Sequence, residues 1–286
     1  APMSMNSFHA RQGGRPQLAK ADEKPVKTPV ERHGLLRVDT LLVQRGLAAS
    51  RTQAQRLIGE GRVLADGKAI AKPSLELPAD AVLTVVEDES DRYVSRGGLK
   101  LAGALAHTGL AVTGRICLDV GQSTGGFTDC LLQAGAAQVV GVDVGHGQLH
   151  AKLKNDGRVT ALEGINCRAL SAADLGDAMP TGGFDLIVGD VSFISMTLVL
   201  PQLPPLLAAD GDLLLLIKPQ FEVGPHHIGK GGIVRDPTLY REVEGRFLDL
   251  ARQLGLTTKA WFDSPITGGG VGNIEGNREF FIWLKK

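Results

Sequence analysis

Ile116-Cys117-Leu118-Asp119-Val120, followed directly by Gly121-Gln122-Ser123-Thr124-Gly125-Gly126-Phe127, is a buried-strand run that breaks into a glycine-rich turn. Similar apolar runs recur at Gln138 to Asp143, Val159 to Glu163, Asp185 to Val191 and Leu213 to Lys218. A late pair follows near Lys259 to Phe262 and Phe280 to Leu284. Runs of this kind, alternating with helical or loop stretches, predict a mostly parallel sheet covered on both faces, an α/β doubly wound domain of Rossmann-like type. Ligands of such sheets sit at the carboxyl ends of the strands beside the switch point. The residues just after each run are therefore the candidates for chemistry.

A nucleotide-type ligand approaches the backbone closely where side chains are absent, as in the turn after the first run. A phosphate-binding P-loop would need Lys after Gly126, where Phe127 stands, and a dinucleotide fingerprint would want glycine in place of Ser123. Asp143 ends the second run 24 residues after Asp119, where a carboxylate can accept both hydroxyls of a ribose. A glycine turn with an acidic ribose contact and no pyrophosphate feature suits S-adenosylmethionine, which carries a sulfonium cation. The cofactor set is Asp119, Gly121, Ser123, Thr124, Gly125, Gly126, Phe127 and Asp143. Asp190, Ser192 and Phe193 follow the fourth run, and Lys218-Pro219 the fifth. A lysine leaving an apolar run is partly desolvated, which disfavours its charged form, although strand-end lysines commonly snorkel to solvent.

Upstream, Leu36 to about Asp88 reads as a compact unit. Leu41, Leu42 and Val43 before Gly46 predict a short helix, and Ser50 with Gln53 a capping box opening a second that presents Ala54, Leu57 and Ile58 on one face. Asp66-Gly67 between Val63-Leu64-Ala65 and Ala69-Ile70-Ala71 is a hairpin signal. The unit carries Arg37, Arg45, Arg51, Arg56, Arg62, Lys68 and Lys72. Arg37-Val38-Asp39, Leu42, Gly46-Leu47, Ser50-Arg51, Ala54, Ile58, Gly61, Val63, Gly67 and Lys72-Pro73 resemble the S4-type RNA-binding domain of ribosomal proteins, pseudouridine synthases and tyrosyl-tRNA synthetases. The resemblance implies contact with structured RNA through its backbone, consistent with cations on a rigid frame reading phosphates and shape.

Over the chain from Leu36 onward, further motifs join it: Ser95 to Leu101, Asp119 to Asp129, Gly141 to Leu149, Gly189 to Ser195, Ile217 to Gly224 and Gly276 to Trp283. Together they resemble the TlyA family, proteins often labelled hemolysins but regarded as ribosomal RNA 2′-O-methyltransferases, with a catalytic domain similar to FtsJ (RrmJ) methyltransferases. The resemblance implies a Lys-Asp-Lys-Glu tetrad at Lys100, Asp190, Lys218 and Glu279, with Asp190 also beside the cofactor methyl group. Gly-Asn-x-Glu occurs twice in Gly272 to Glu279, so Glu275 is a rival to Glu279. The implied substrate is ribosomal RNA at a cytidine ribose. Arg96, Lys230 and Arg235 are further RNA contacts, the last two in a glycine-rich loop, Gly224 to Asp236, read as mobile. An assembly factor with an inactive methyltransferase fold and a membrane-acting hemolysin are the alternatives.

The expected organisation is a disordered basic tail over 1–35, the S4-like domain over 36–88, a linker over 89–95 and the methyltransferase domain over 96–286. The 286 residues balance 31 basic against 31 acidic side chains. Counted along the chain, residues 1–72 hold 13 basic and 6 acidic, a local excess of +7 offset by −7 in the remainder, which points to a basic contact surface near the N-terminus. Cys117, Cys130 and Cys167 are widely spaced and free of CxxC pairs, so neither a disulfide framework nor a metal site is expected. The longest apolar stretch, Leu198 to Ala209, is interrupted by Pro201, Gln202, Pro204 and Pro205, too broken to span a bilayer. A cytoplasmic monomer is expected, with no membrane contact.

Overall fold

The computed structural model describes residues 34–269 and 276–286. Nearly all of the expected tail, and Glu275, lie outside the described residues. The N-terminal unit runs β1 (Leu35–Arg37), α1 (Val38–Gln44), α2 (Arg51–Gly59), β2 (Val63–Ala65), β3 (Lys68–Ala69), β4 (Glu76–Pro78) and β5 (Leu83–Val85). Ser50 Oγ accepts the Gln53 amide and caps α2, while Gln53 Oε1 reaches past Ser50 to the amide of Ala49. The cap is thus a displaced form of the expected box. Ala54, Leu57 and Ile58 pack with Val38, Leu41 and Leu42, burying the inner faces of both helices. Asp66 and Gly67 take φ of 48° and 78°, the left-handed pair that a two-residue hairpin turn requires. β2 pairs with β3 and β5, and β1 with β4, all antiparallel.

The segment expected as a linker is structured. Glu89–Arg92 form one 3-10 turn, and Tyr93 is buried in the core of the larger domain. The Val94 amide donates to Asp129 Oδ2 at 2.9 Å, and Gln133 Nε2 donates to the Arg92 carbonyl at 2.8 Å. Arg62, expected at the RNA surface, corrects that expectation: its side chain is only 8% exposed. It donates from Nε and Nη2 to the Val86 carbonyl at 3.0 and 2.7 Å, pairs with Glu60 at 3.3 Å, and grips the Asp91 carboxylate. Its fork holds Glu60 and Val86 of the small unit and, through Asp91, ties that unit to the turn that leads into the large one.

The larger unit continues as α3 (Gly97–Thr108), β6 (Ile116–Val120), α4 (Gly126–Gln133), β7 (Gln138–Asp143), α5 (Ala151–Lys154), β8 (Val159–Glu163), α6 (Ala172–Leu175), β9 (Phe184–Gly189), α7 (Met196–Val199), β10 (Leu207–Ile217), α8 (Pro237–Gln253), β11 (Thr257–Asp263) and β12 (Phe280–Lys285). Among the described residues seven strands form one sheet in the order β11-β12-β10-β9-β6-β7-β8. β6 to β10 are parallel to their neighbours in that group, and β12 runs antiparallel between β10 and β11. β10 begins six residues earlier than its apolar run suggests, through a register shift between Leu207 and Asp212. Period-two alternation sends Leu118, Ile187 and Leu215 to one face, with Val243 and Phe247 of α8. The alternate residues Cys117, Leu186 and Leu214 meet Leu101 of α3 and Leu131 of α4 on the other. The winding reverses between β6 and β9, which sets the crevice at their carboxyl ends. Among the described residues no helix is long and apolar enough to cross a membrane.

Arg62→Ala is expected to lower the unfolding free energy by about 1.5–3 kcal/mol, the contribution of hydrogen bonds to a charged group. Urea denaturation measures it, and Arg62→Lys recovers only part of the loss because an ammonium has no fork.

Candidate active site

Four strand ends build the crevice. After β6 the chain turns at Gly121, whose φ is +83° and whose Cβ, were there one, would lie 2.5 Å from the carbonyl oxygen of Asp190. The Asp190 amide in turn donates to the Val120 carbonyl at 2.9 Å, so the ends of β6 and β9 are in direct backbone contact. At the end of β7 the Asp143 carboxylate accepts the amides of Ser123 and Gly145, both at 2.7 Å, which fixes its orientation toward the turn. Beneath the turn Gln122 Nε2 donates to Thr128 Oγ1 at 2.9 Å, and Thr128 Oγ1 donates to Asp119 Oδ2 at 2.7 Å. Asp119 is fully buried and its Oδ1 has no protein partner. Burial pushes its pKa up to about 7, with the Thr128 hydrogen bond opposing part of the rise.

Two adjoining hollows share Gly121, Ser123, Asp190 and Ser192. One, of about 240 Å³, is lined by Arg96, Lys100, Thr124, Gly126, Phe127 and Lys218 among others. The second, of about 450 Å³, is lined by Asp143, Val144, Asn166, Cys167, Val191, Phe193 and Ile194. Its apolar walls suit a purine, Asp143 suits a ribose diol, and the open backbone at Gly121 admits a chain between the two hollows. These residues fit S-adenosylmethionine. Val144, Asn166 and Cys167 did not stand out in the sequence, yet each follows β7 or β8, so applying the strand-end rule to those strands would have found them.

The tetrad residues come together in two pairs. Lys218 Nζ lies 2.5 Å from Asp190 Oδ1 and donates to Ser192 Oγ at 2.9 Å. Lys100, on the first turn of α3, donates from Nζ to Glu279 Oε2 at 2.6 Å, and the Glu279 side chain is 2% exposed. Glu279 reaches this position across Gly268, where any Cβ would fall 1.8 Å from Oε1. The loop over 224–236, read as mobile, is tethered in its second half. Asn277 Nδ2 donates to the Gly232 carbonyl at 2.8 Å, its Oδ1 accepts the Val234 amide at 3.0 Å, and Tyr240 Oη donates to the Val234 carbonyl at 2.7 Å. Lys230 and Arg235 are exposed on that loop, as are His226 and His227.

On the small unit Arg37 and Arg51 flank buried Asp39, at 2.8 and 3.1 Å. The Arg37 hydrogen bonds, opposed by burial and helped by Gln55 and Arg51, hold the Asp39 carboxyl well below the usual carboxylate range. Both guanidinium groups remain partly exposed, so one buried carboxylate presets two cations at the surface. Arg45 donates to the carbonyls of Ala79 and Ala81, Arg56 lies 3.9 Å from Glu60, and Lys68 and Lys72 are exposed around the hairpin. Burial pushes the Cys117 and Cys130 thiols up to about 12 and Cys167 up to about 11, which keeps all three protonated and poorly nucleophilic. Among the described residues no group of His, Cys, Asp and Glu is placed to hold a metal ion.

Comparison with known proteins agrees with this architecture. The FtsJ-like methyltransferase family model matches residues 93–286, and the S4 domain model matches residues 36–83. The 16S/23S rRNA (cytidine-2′-O)-methyltransferase TlyA of Mycobacterium tuberculosis is 47% identical over 249 residues, covering 87% of this chain and 89% of its own. Hemolysin A of Brachyspira hyodysenteriae is 38% identical over 247 residues, covering 86% of this chain and 100% of its own. Among solved structures, one described as a candidate hemolysin from Streptococcus thermophilus superposes with a TM-score of 0.67 at 40% identity, covering 88% of this chain and 89% of that one.

The raised Asp119 pKa makes a signed prediction. The folded state holds the proton up to about pH 7 and the unfolded chain releases it near 3.8, as a solvated aspartate does, so this group's contribution to stability falls as pH rises from about 4 to 7 and is flat above. At about 1.4 kcal/mol per pKa unit the ceiling is roughly 4 kcal/mol. Asp119→Asn is expected to remove that slope, read as the difference between the two melting temperatures across pH 4 to 8.

Proposed function

Because this chain belongs to the TlyA-like family, in which an S4 domain is fused to an FtsJ-like methyltransferase domain, we propose that it methylates a ribose 2′-hydroxyl of ribosomal RNA, at a cytidine, from S-adenosylmethionine. The observation that carries the reading is the meeting of Lys218, Asp190 and Lys100 on one hollow beside the glycine turn, with Glu279 locked behind Lys100. A scaffold alone has no need of two lysines and two carboxylates paired at the edge of a nucleoside-sized crevice.

When bound, S-adenosylmethionine supplies an electrophilic methyl group on sulfur. The chain supplies alignment and proton handling, because a ribose hydroxyl is a poor nucleophile at neutral pH. Lys218 Nζ, held between Asp190 and Ser192, directs the hydroxyl lone pair and, in its neutral amine form, takes the hydroxyl proton, and Asp190 stabilises the ammonium that results. Lys100, fixed by Glu279, holds the ribose from the opposite wall. The small unit, with Arg37 and Arg51 preset by Asp39 and Lys68 and Lys72 at the hairpin, binds a helical part of the same RNA through phosphates. Arg96, at the cleft rim, and Lys230 with Arg235 on the tethered loop continue that cationic track toward the reacting nucleotide. Phosphate contacts of this type position RNA without reading its sequence, so cytidine is selected inside the cleft.

The test is transfer of labelled methyl from S-adenosylmethionine to unmodified ribosomal subunits. Label in an alkali-resistant dinucleotide, lost by about 100-fold or more in Lys218→Ala with RNA affinity retained, is the expected result. Equal labelling by Lys218→Ala would sink the assignment of that lysine, and an unlabelled wild type would favour an assembly-factor role. Gly121→Ala is expected to abolish S-adenosylmethionine binding by calorimetry, since its Cβ meets backbone at 2.5 Å, while the S4 domain still binds RNA.

A further inference from the structure

Glu222 is buried and belongs to no part of the reaction described above. It stands four residues beyond Lys218, after the short 3-10 turn Pro219–Phe221. Its Oε1 accepts the Met196 amide at 2.8 Å and its Oε2 accepts the Ser195 hydroxyl at 2.5 Å. Ser195 and Met196 close the loop that begins at Asp190, so one carboxylate spans the loops after β9 and β10. The main chain at Glu222 is itself anchored, because Arg246 of α8 donates to its carbonyl at 2.9 Å. The same two loops also meet where Lys218 touches Asp190 and Ser192, and where the Phe193 and Phe221 rings stand 5.4 Å apart.

Burial raises the Glu222 pKa against the opposing Ser195 and Met196 hydrogen bonds, so this carboxyl sits where an apolar side chain would be less costly. A group kept in such a place is explained by what it positions. We propose that Glu222 is a positioning residue that sets the spacing of the Asp190 and Lys218 loops, and through it the geometry of the Lys218–Asp190 pair. The inference rests on the methyl-transfer reading for its kinetic consequence but not for its structural one. Misplacement of a reacting group by about 1 Å reduces a rate by roughly 100-fold, which sets the size of the effect.

The experiment compares wild type, Glu222→Ala, Glu222→Gln and Ser195→Ala by hydrogen–deuterium exchange and by methyl transfer. Glu222→Ala is expected to speed exchange at Met196 and through 190–196 while leaving β7 and α8 protected, and to reduce kcat about 10- to 100-fold with the KM for RNA unchanged. Its pH–rate profile shifts, because the Lys218–Asp190 distance changes. Glu222→Gln keeps an acceptor for the Met196 amide and restores both readouts toward wild type. Should Glu222→Ala fail to fold, Ser195→Ala deletes the bond to Glu222 Oε2 together with the Ser195 cap on the Thr197 amide, and Thr197→Val, which leaves the Glu222 bond in place, is the control that separates the two; the changes are expected with Ser195→Ala and not with Thr197→Val. Exchange at 190–196 that stays at the wild-type rate in a folded variant overturns the proposal, as does a loss of kcat with no change in pH profile. A wild type that methylates no RNA defeats the methyl-transfer reading instead, and leaves the exchange comparison to decide the role of Glu222.

Discussion

The cleft depends on the parallel pairing of β6 with β9. These strands are neighbours in space but are separated in the chain by β7 and β8, so the winding must reverse between them, and no crossover covers the gap at their carboxyl ends. The Asp190 amide bonded to the Val120 carbonyl, and Gly121 pressed against the Asp190 carbonyl, show how closely the two ends approach. A side chain at Gly121 would push them apart and widen both hollows together. Asp143, Lys218 and the glycine turn all take their positions from that contact, since each follows a strand hydrogen-bonded into the same sheet.

Burying charge beside such a contact is expensive unless each group finds an opposite partner and hydrogen bonds. Lys100 and Glu279 satisfy this across the chain at 2.6 Å, and Lys218 does so with Asp190 and Ser192. Removing one member of either pair leaves its partner uncompensated in a partly dry cleft, so these pairs specify geometry more than they stabilise the fold. Asp119, like Glu222, is a buried carboxylate with hydrogen bonding but no ion pair: its partner is the Thr128 hydroxyl. Its chemistry is accordingly that of a group that holds its proton longer than a solvated aspartate.

The central strands β6, β7, β9 and β10 were legible because they are buried on both faces and read as largely apolar runs, the first three ended by a glycine or a carboxylate. The S4 hairpin was legible because Asp66-Gly67 is one of few pairs that tolerate two left-handed residues. Arg62 was misread for a physical reason: a surface cation and a buried one share the same letter, and only the Val86 carbonyl and Asp91, 24 and 29 residues away, distinguish them. Glu222 gave no signal, since a single acid in a loop has no period. Asn277 was legible only as part of the second Gly-Asn-x-Glu copy, which says nothing of its tethering the second half of the loop over 224–236.

The place of Glu279, in the second Gly-Asn-x-Glu copy, shows what topology adds to motif. β12 enters the sheet antiparallel between β10 and β11, beginning at Phe280, and the residue just before such an antiparallel strand stands at the carboxyl ends of the two strands beside it. Glu279 occupies that place, and the bridge between Gly268 and Asn277 narrows the approach so that its carboxylate passes over a glycine toward α3. The partner on α3 is Lys100, on the first turn of a helix whose start is set by Tyr93 packed on Gly98. Tyr93 follows Asp91, the carboxylate that Arg62 grips, so a continuous set of contacts runs from the S4 domain through the entrance turn to the tetrad. The small domain is therefore joined to the cleft through the same helix that carries Lys100.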